Sequence, residues 1–160
     1  MGMNTVLLVW FFILGTVFGS FFGVVGTRLS EGKSIVKPRS HCDHCGHVLK
    51  WYELIPIVSY IIQKGKCKNC GTKIPFDVFL SELATGVLFL FSYLYFGISY
   101  NFFIMLILSS LCVIIFVSDF KYMIILDSPL IISGVLVLIL KTVYYGYKTI
   151  IPTLVSGIIT

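Results

Sequence analysis

Ser118-Asp119-Phe120-Lys121-Tyr122-Met123-Ile124-Ile125-Leu126-Asp127-Ser128-Pro129 closes an apolar run in which no Lys, Arg, Asp or Glu occurs from Leu83 to Ser118. A carboxylate at the edge of such a run is costly to hold in a membrane, so it is by default a functional candidate with a partner to be found. Asp119 is therefore the first candidate residue. The competing reading is that Asp119 and Lys121 only mark where a transmembrane helix leaves the bilayer. The rest of the chain decides between the two.

Of the 160 residues, 58% are hydrophobic and 12% charged, with a mean hydropathy of +0.99. A soluble domain carries charge on about a quarter of its residues. The composition thus excludes a soluble enzyme and predicts an all-α polytopic membrane protein, with membrane lipid as its surroundings. The formal charge of +5 is uneven, because nine of the twelve Lys and Arg lie from Arg28 to Lys73 against Glu31, Asp43 and Glu53 alone. A basic loop flanked by apolar spans reads as the positive-inside signal more simply than as a nucleic-acid site, and no nucleic-acid partner is expected.

Residues 1–27 carry no charged side chain, and Asn4 to Gly26 suffices to cross a core of ~30 Å as a first helix. A secretory signal would open on a basic region and have a shorter apolar stretch. The charges that follow place the amino terminus outside and the loop in the cytoplasm, for a multi-pass protein of the plasma (inner) membrane. Gly15, Gly19, Gly23 and Gly26 fall on one helical face and, with Ser20, let another helix approach closely.

The loop 28–75 holds two knuckles, Cys42-Asp43-His44-Cys45-Gly46 and Cys67-Lys68-Asn69-Cys70-Gly71. A tight turn over two residues points both sulfurs of a pair at one metal, and the following Gly completes the turn. The spacing predicts a structural zinc held by Cys42, Cys45, Cys67 and Cys70. Disulfides are the other reading, and a cytoplasmic loop disfavours them. Four thiolates leave no open position for substrate, so the metal holds shape and His41, His44 and His47 are surface residues. A loop this short buries little core without such a staple. The segment Leu49 to Tyr60 between the knuckles, with Trp51 and Tyr52, is expected to pack against them in preference to resting on the membrane interface.

Residues 76–118 are too long for one span and turn at Gly97-Ile98-Ser99-Tyr100-Asn101. The second helix is expected from about Val78 to Phe96 and the third from about Phe102 to Val117, with Glu82 and Asp119 on the loop side and Cys112 as a small core residue. Asp127-Ser128-Pro129 starts a fourth helix, with Asp or Ser capping, that reaches about Tyr147. A fifth span opens near Thr149. The expected organisation is a helix over 1–27, a zinc loop over 28–75 and a membrane domain over 76–160 that looks truncated at its carboxyl end.

Four pieces in this order resemble the prepilin peptidase family of membrane aspartic peptidases: Gly19-Ser20-Phe21 with Arg28, Pro38-Arg39-Ser40-His41-Cys42 with the four cysteines, the Trp51 to Ser59 segment, and Ser118-Asp119 with Asp127. The resemblance implies cleavage of a short basic leader after a Gly, at the cytoplasmic face, from type IV pilin-like or competence pseudopilin precursors. It also implies N-methylation of the new amino end with S-adenosylmethionine, the cysteine loop being the region associated with it. Asp119 matches the first of two catalytic aspartates. The second belongs to a Gly-x-Gly-Asp type motif, which does not occur in residues 1–160, so these residues alone are expected to be inactive as a peptidase. Two further departures are Leu126, where the family often has Pro, and Asp77-Val78-Phe79, where Arg-Tyr-Pro often precedes the residue matching Glu82. The last bears on methylation more than on cleavage. The alternative is a catalytically inactive relative whose zinc loop docks a cytoplasmic partner.

Overall fold

The computed structural model describes residues 5–124 and 126–145. In chain order it contains α1 (Thr5–Ser30), a 3-10 turn (Trp51–Leu54), the short α2 (Val58–Ile62), α3 (Phe76–Phe96), α4 (Tyr100–Tyr122) and α5 (Asp127–Tyr145). α1, α3, α4 and α5 are each long and apolar enough to cross a membrane, and the chain is a multi-pass membrane protein. Among the described residues there is no strand, only the isolated bridges His41 to Val48 and Lys66 to Lys73. The fifth span expected near Thr149 lies outside the described residues.

Two helices run farther than expected. α1 continues past Gly26 because nothing stops it before Gly32, whose φ of +67° only glycine adopts freely. There the Lys33 N–H donates to the Arg28 carbonyl at 2.8 Å and the Gly32 N–H to that of Leu29 at 3.1 Å, satisfying the last carbonyls of the helix. Arg28 thus belongs to α1. α4 likewise runs beyond Val117 to Tyr122, so Asp119 sits in its last turn. The polar residues there are good enough helix formers once the apolar turn beneath them is fixed. Asp127 is the first residue of α5 and faces the positive end of its dipole.

The expected close approach on the glycine face of α1 is made to α3. A Cβ on Gly15 would lie 2.7 Å from the Thr85 carbonyl oxygen, and one on Gly19 2.7 Å from that of Ser81 and 2.8 Å from Glu82 Cα. The two backbones touch, so dispersion contacts are gained without ordering long side chains. Because those neighbours are backbone atoms, Gly19→Ala is expected to cost about 1–3 kcal/mol by overpacking. Thermal unfolding in detergent measures it, with Gly134→Ala as control, since a Cβ there meets nothing within 4 Å. Equal effects at the two positions would refute the contact.

Toward the α3–α4 hairpin, Phe11, Tyr93 and Phe102 form an aromatic cluster with Phe11 centroids 4.8 Å and 5.0 Å from the other two. α5 packs chiefly on α4, antiparallel, with Tyr100 stacked on Tyr144 at 4.5 Å. Cys112 is exposed on α4, contrary to the expected core position, because the inward face of that turn is taken by Ser109, Val113 and Ile114.

Candidate functional site

Two groups of residues meet at the loop end of the helices, a cysteine cluster and a set of polar side chains around the last turn of α4. In the first, Cys42 to Gly46 and Cys67 to Gly71 make the same turn twice. The Cys42 N–H donates to the His47 carbonyl and the Gly46 N–H to that of Cys42, both at 2.9 Å. The Cys67 N–H donates to Thr72 at 2.7 Å and the Gly71 N–H to Cys67 at 2.9 Å. Gly46 and Gly71 close the turns at φ of +69° and +72°.

All four sulfurs lie within 4.8 Å of one another, and this cluster could hold a metal ion. Cys42 and Cys70 Sγ are 3.8 Å apart, Cys45 and Cys67 Sγ 4.0 Å. Sulfurs bonded tetrahedrally to one metal at about 2.3 Å stand roughly 3.8 Å apart, so the donor set fits such an ion. A disulfide needs sulfurs at about 2.05 Å, and the four thiols are free. The Thr72 hydroxyl and backbone N–H pull the Cys70 thiol down to about 6, toward the thiolate form that binds metal.

Two carboxylates seat this module, and neither role was read from the sequence. Glu53 is buried. It accepts from the Lys50 N–H at 2.8 Å and faces His47 Nε2 at 3.2 Å, contacts that hold its carboxyl below the usual range. His47 is therefore an anchor between the first knuckle and the 3-10 turn, whereas His41 and His44 are exposed as expected. Glu82, only 5% exposed on α3, accepts from the Ile57 N–H at 2.6 Å. Ile57 has a φ of +61°, rare for a β-branched residue and costing about 1–3 kcal/mol. The Glu82 contact fixes it. The available signal was an acid within an otherwise apolar span, the same signal that picked out Asp119.

Only part of the segment between the knuckles packs against them as expected, through Glu53 on His47 and the Tyr52 ring 5.2 Å from Lys68 Nζ. Trp51 is 77% exposed and Leu54 and Ile55 are exposed too, because Glu53 takes the inward position of the 3-10 turn. The module is docked instead through Tyr60, whose ring lies 5.1 Å from Phe79 of α3.

Around α4, Ser118 is fully buried. Its hydroxyl lies 2.9 Å from that of Ser30 in α1 and donates to the Ile124 carbonyl at 2.5 Å. The Tyr122 hydroxyl donates to Glu31, which Lys33 also meets at 2.7 Å, and these two contacts hold the Glu31 carboxyl below its usual range. Lys121 meets Asp77 of α3 at 3.7 Å. The ends of α1, α3 and α4 are thereby tied together. Asp119 stands in the same turn, exposed, and among the described residues its carboxylate has no ion-pair partner. Asp127 is exposed at the start of α5.

Residues 13–96 match the family model described as the bacterial peptidase A24 N-terminal domain. The chain is also similar to proteins named prepilin leader peptidase/N-methyltransferase. That of Bacillus subtilis (strain 168) is 43% identical over 114 residues, covering 71% of this chain and 46% of the relative. That of Myxococcus xanthus is 45% identical over 105 residues, covering 66% and 31%, and that of Vibrio cholerae 33% over 133 residues, covering 76% and 51%. The chain thus spans about half, or less, of the length of these relatives. No solved structure matches.

Proposed function

This chain belongs to the family of the bacterial peptidase A24 N-terminal domain, and from that premise we propose that it supplies the first carboxylate, Asp119, of a prepilin leader peptidase. The reaction is an aspartic endopeptidase cut that removes the basic leader of a type IV pilin-like or competence pseudopilin precursor at the cytoplasmic face of the plasma membrane. The observation that carries this reading is an acid with no ion-pair partner, kept in the last turn of a membrane helix and surrounded by tied side chains. Negative charge is disfavoured at a helix C-terminus. A merely interfacial acid would be better placed elsewhere.

Two carboxylates that share a site cannot easily both ionise, so one holds a proton while the other takes a proton from water. Asp119 as base orients the water toward the scissile carbonyl, and the protonated partner gives its proton to the leaving amine. The pair owns the apparent pKa values. Residues 1–160 hold no Gly-x-Gly-Asp motif to provide that partner.

In this reading Cys42, Cys45, Cys67 and Cys70 hold one structural zinc. When bound it supplies only a fixed point, since four thiolates leave no position for substrate. Among the described residues, the lining of two cavities suits S-adenosylmethionine poorly. Its sulfonium calls for an unengaged acid, yet the cavity beside α1 is lined by Arg28 and Arg39 with no acid, and Glu53 in the smaller one is already bound by Lys50 and His47. Leader cleavage, and not methylation, is the activity proposed.

The test follows the mass of a pilin-like precursor in membranes containing the protein expressed from its own gene, together with that protein's intact mass against the 18.0 kDa of these residues. Loss of the leader supports the reading. An unprocessed precursor overturns it and leaves the zinc loop as a docking module.

A further inference from the structure

A groove of about 650 Å³ runs along α1 on the face away from α3. Val17, Phe21, Val24 and Arg28 recur along one wall at helical spacing, so the apolar surface extends on the order of 16 Å before it meets a guanidinium. The loop forms the other wall, and Arg39 and Trp51 are among the residues that line it. No lining residue is acidic. Arg28 Nη1 donates to the carbonyls of Ser34 and Ile35 at 3.2 and 3.4 Å, which draws that part of the loop over the groove. Among the described residues neither arginine pairs with an acid. Ser40 adds a hydroxyl from the loop, and Ser20 lies among the apolar residues of the α1 wall.

We propose that this groove binds one anionic phospholipid, with an acyl chain along Val17, Phe21 and Val24 and the phosphate between Arg28 and Arg39. An alkyl-lined channel that ends in two cations without counter-charge is complementary to an amphiphile with an anionic head. A guanidinium meets phosphate oxygens two at a time, which a point charge cannot do. Basic pockets at the cytoplasmic ends of spans, with a basic segment such as 28–73 nearby, attract anionic headgroups. A zwitterionic lipid carries its own cation against the arginines. An apolar protein helix would cover the wall but leave both arginines partly desolvated and unpaired. The exposed Val36 and Trp51 then sit at headgroup depth, where Trp is enriched.

The test uses the whole chain carrying Trp10→Phe, which leaves Trp51 as its one tryptophan. In detergent it is titrated with phosphatidylglycerol and, separately, phosphatidylcholine, each brominated on the acyl chain to quench indole fluorescence. Saturable one-to-one quenching, with phosphatidylglycerol bound roughly thirtyfold more tightly, is expected from two arginines near a lipid surface. Adding Arg28→Gln and Arg39→Gln should reduce that to the phosphatidylcholine level. Equal affinity for the two lipids overturns the proposal, and that comparison needs no arginine variant. A preference kept by the double variant also overturns it, as does displacement of the bound phosphatidylglycerol by an apolar helical peptide but not by unlabelled phosphatidylglycerol.

Discussion

Asp119→Asn is expected to lower the rate of leader removal by about 10²–10⁴-fold, the range that a positioned acid or base contributes, while the membrane level of the protein stays unchanged. The substitution keeps the side chain's size and touches no ion pair, since the partners in that turn belong to Ser118, Lys121 and Tyr122. It also removes a negative charge from a helix C-terminus, a change worth about 0.3–1 kcal/mol in favour of folding. Lost activity in a protein no less stable than the wild type separates a catalytic acid from a structural one. Thermal unfolding read beside the cleavage assay, on protein from the native gene, checks both at once. A processed precursor from the variant would sink the assignment.

The second large effect concerns the cysteines. Cys67 is the buried member of the four, and Cys67→Ser is expected to take the metal content from about one zinc per chain to none. Structural zinc binding is worth about 10–16 kcal/mol in comparable peptides, more than two short turns, one 3-10 turn and α2 could replace by burial. Hydrogen exchange should therefore lose protection over 41–48 and 65–73. The α1, α3 and α4 contacts do not involve the knuckles, so helical circular dichroism should hold. Native mass spectrometry reads the metal. Metal retained by the variant, or intermolecular disulfides and no zinc in protein kept reduced, would refute this.

What the sequence made legible was governed by period and spacing. Uncharged runs located the four spans, the turn at Gly97 lies where α3 ends, and the knuckle spacing located the cysteine cluster. What escaped was decided by tertiary contact. α1 keeps Arg28 because Gly32, and not the first charge, terminates it. Trp51 was expected to pack against the knuckles, but Glu53 takes the inward position because it has the Lys50 N–H and His47 to bind. Cys112 was assigned inward by size alone, and helix rotation, which composition does not set, turned it outward. Ile57 gave no warning of its positive φ, since that conformation is fixed by Glu82, distant in sequence. The role proposed for Asp119 rests on its place in the last turn of α4, beyond the residues 13–96 that the family model matches.

The contact of α1 with α3 carries a consequence in time. The two helices touch backbone to backbone, yet residues 31–75 separate them in the chain. At roughly 5–20 residues per second of synthesis, α1 spends about 2–9 s made but unpaired, its glycine face toward lipid. It must remain in the bilayer on its own merit through that interval. A mean hydropathy of 2.2 in its best window, without a charge before Arg28, favours that independence, whereas α3, at 1.6 and carrying Glu82, gains the more from finding α1 already in place.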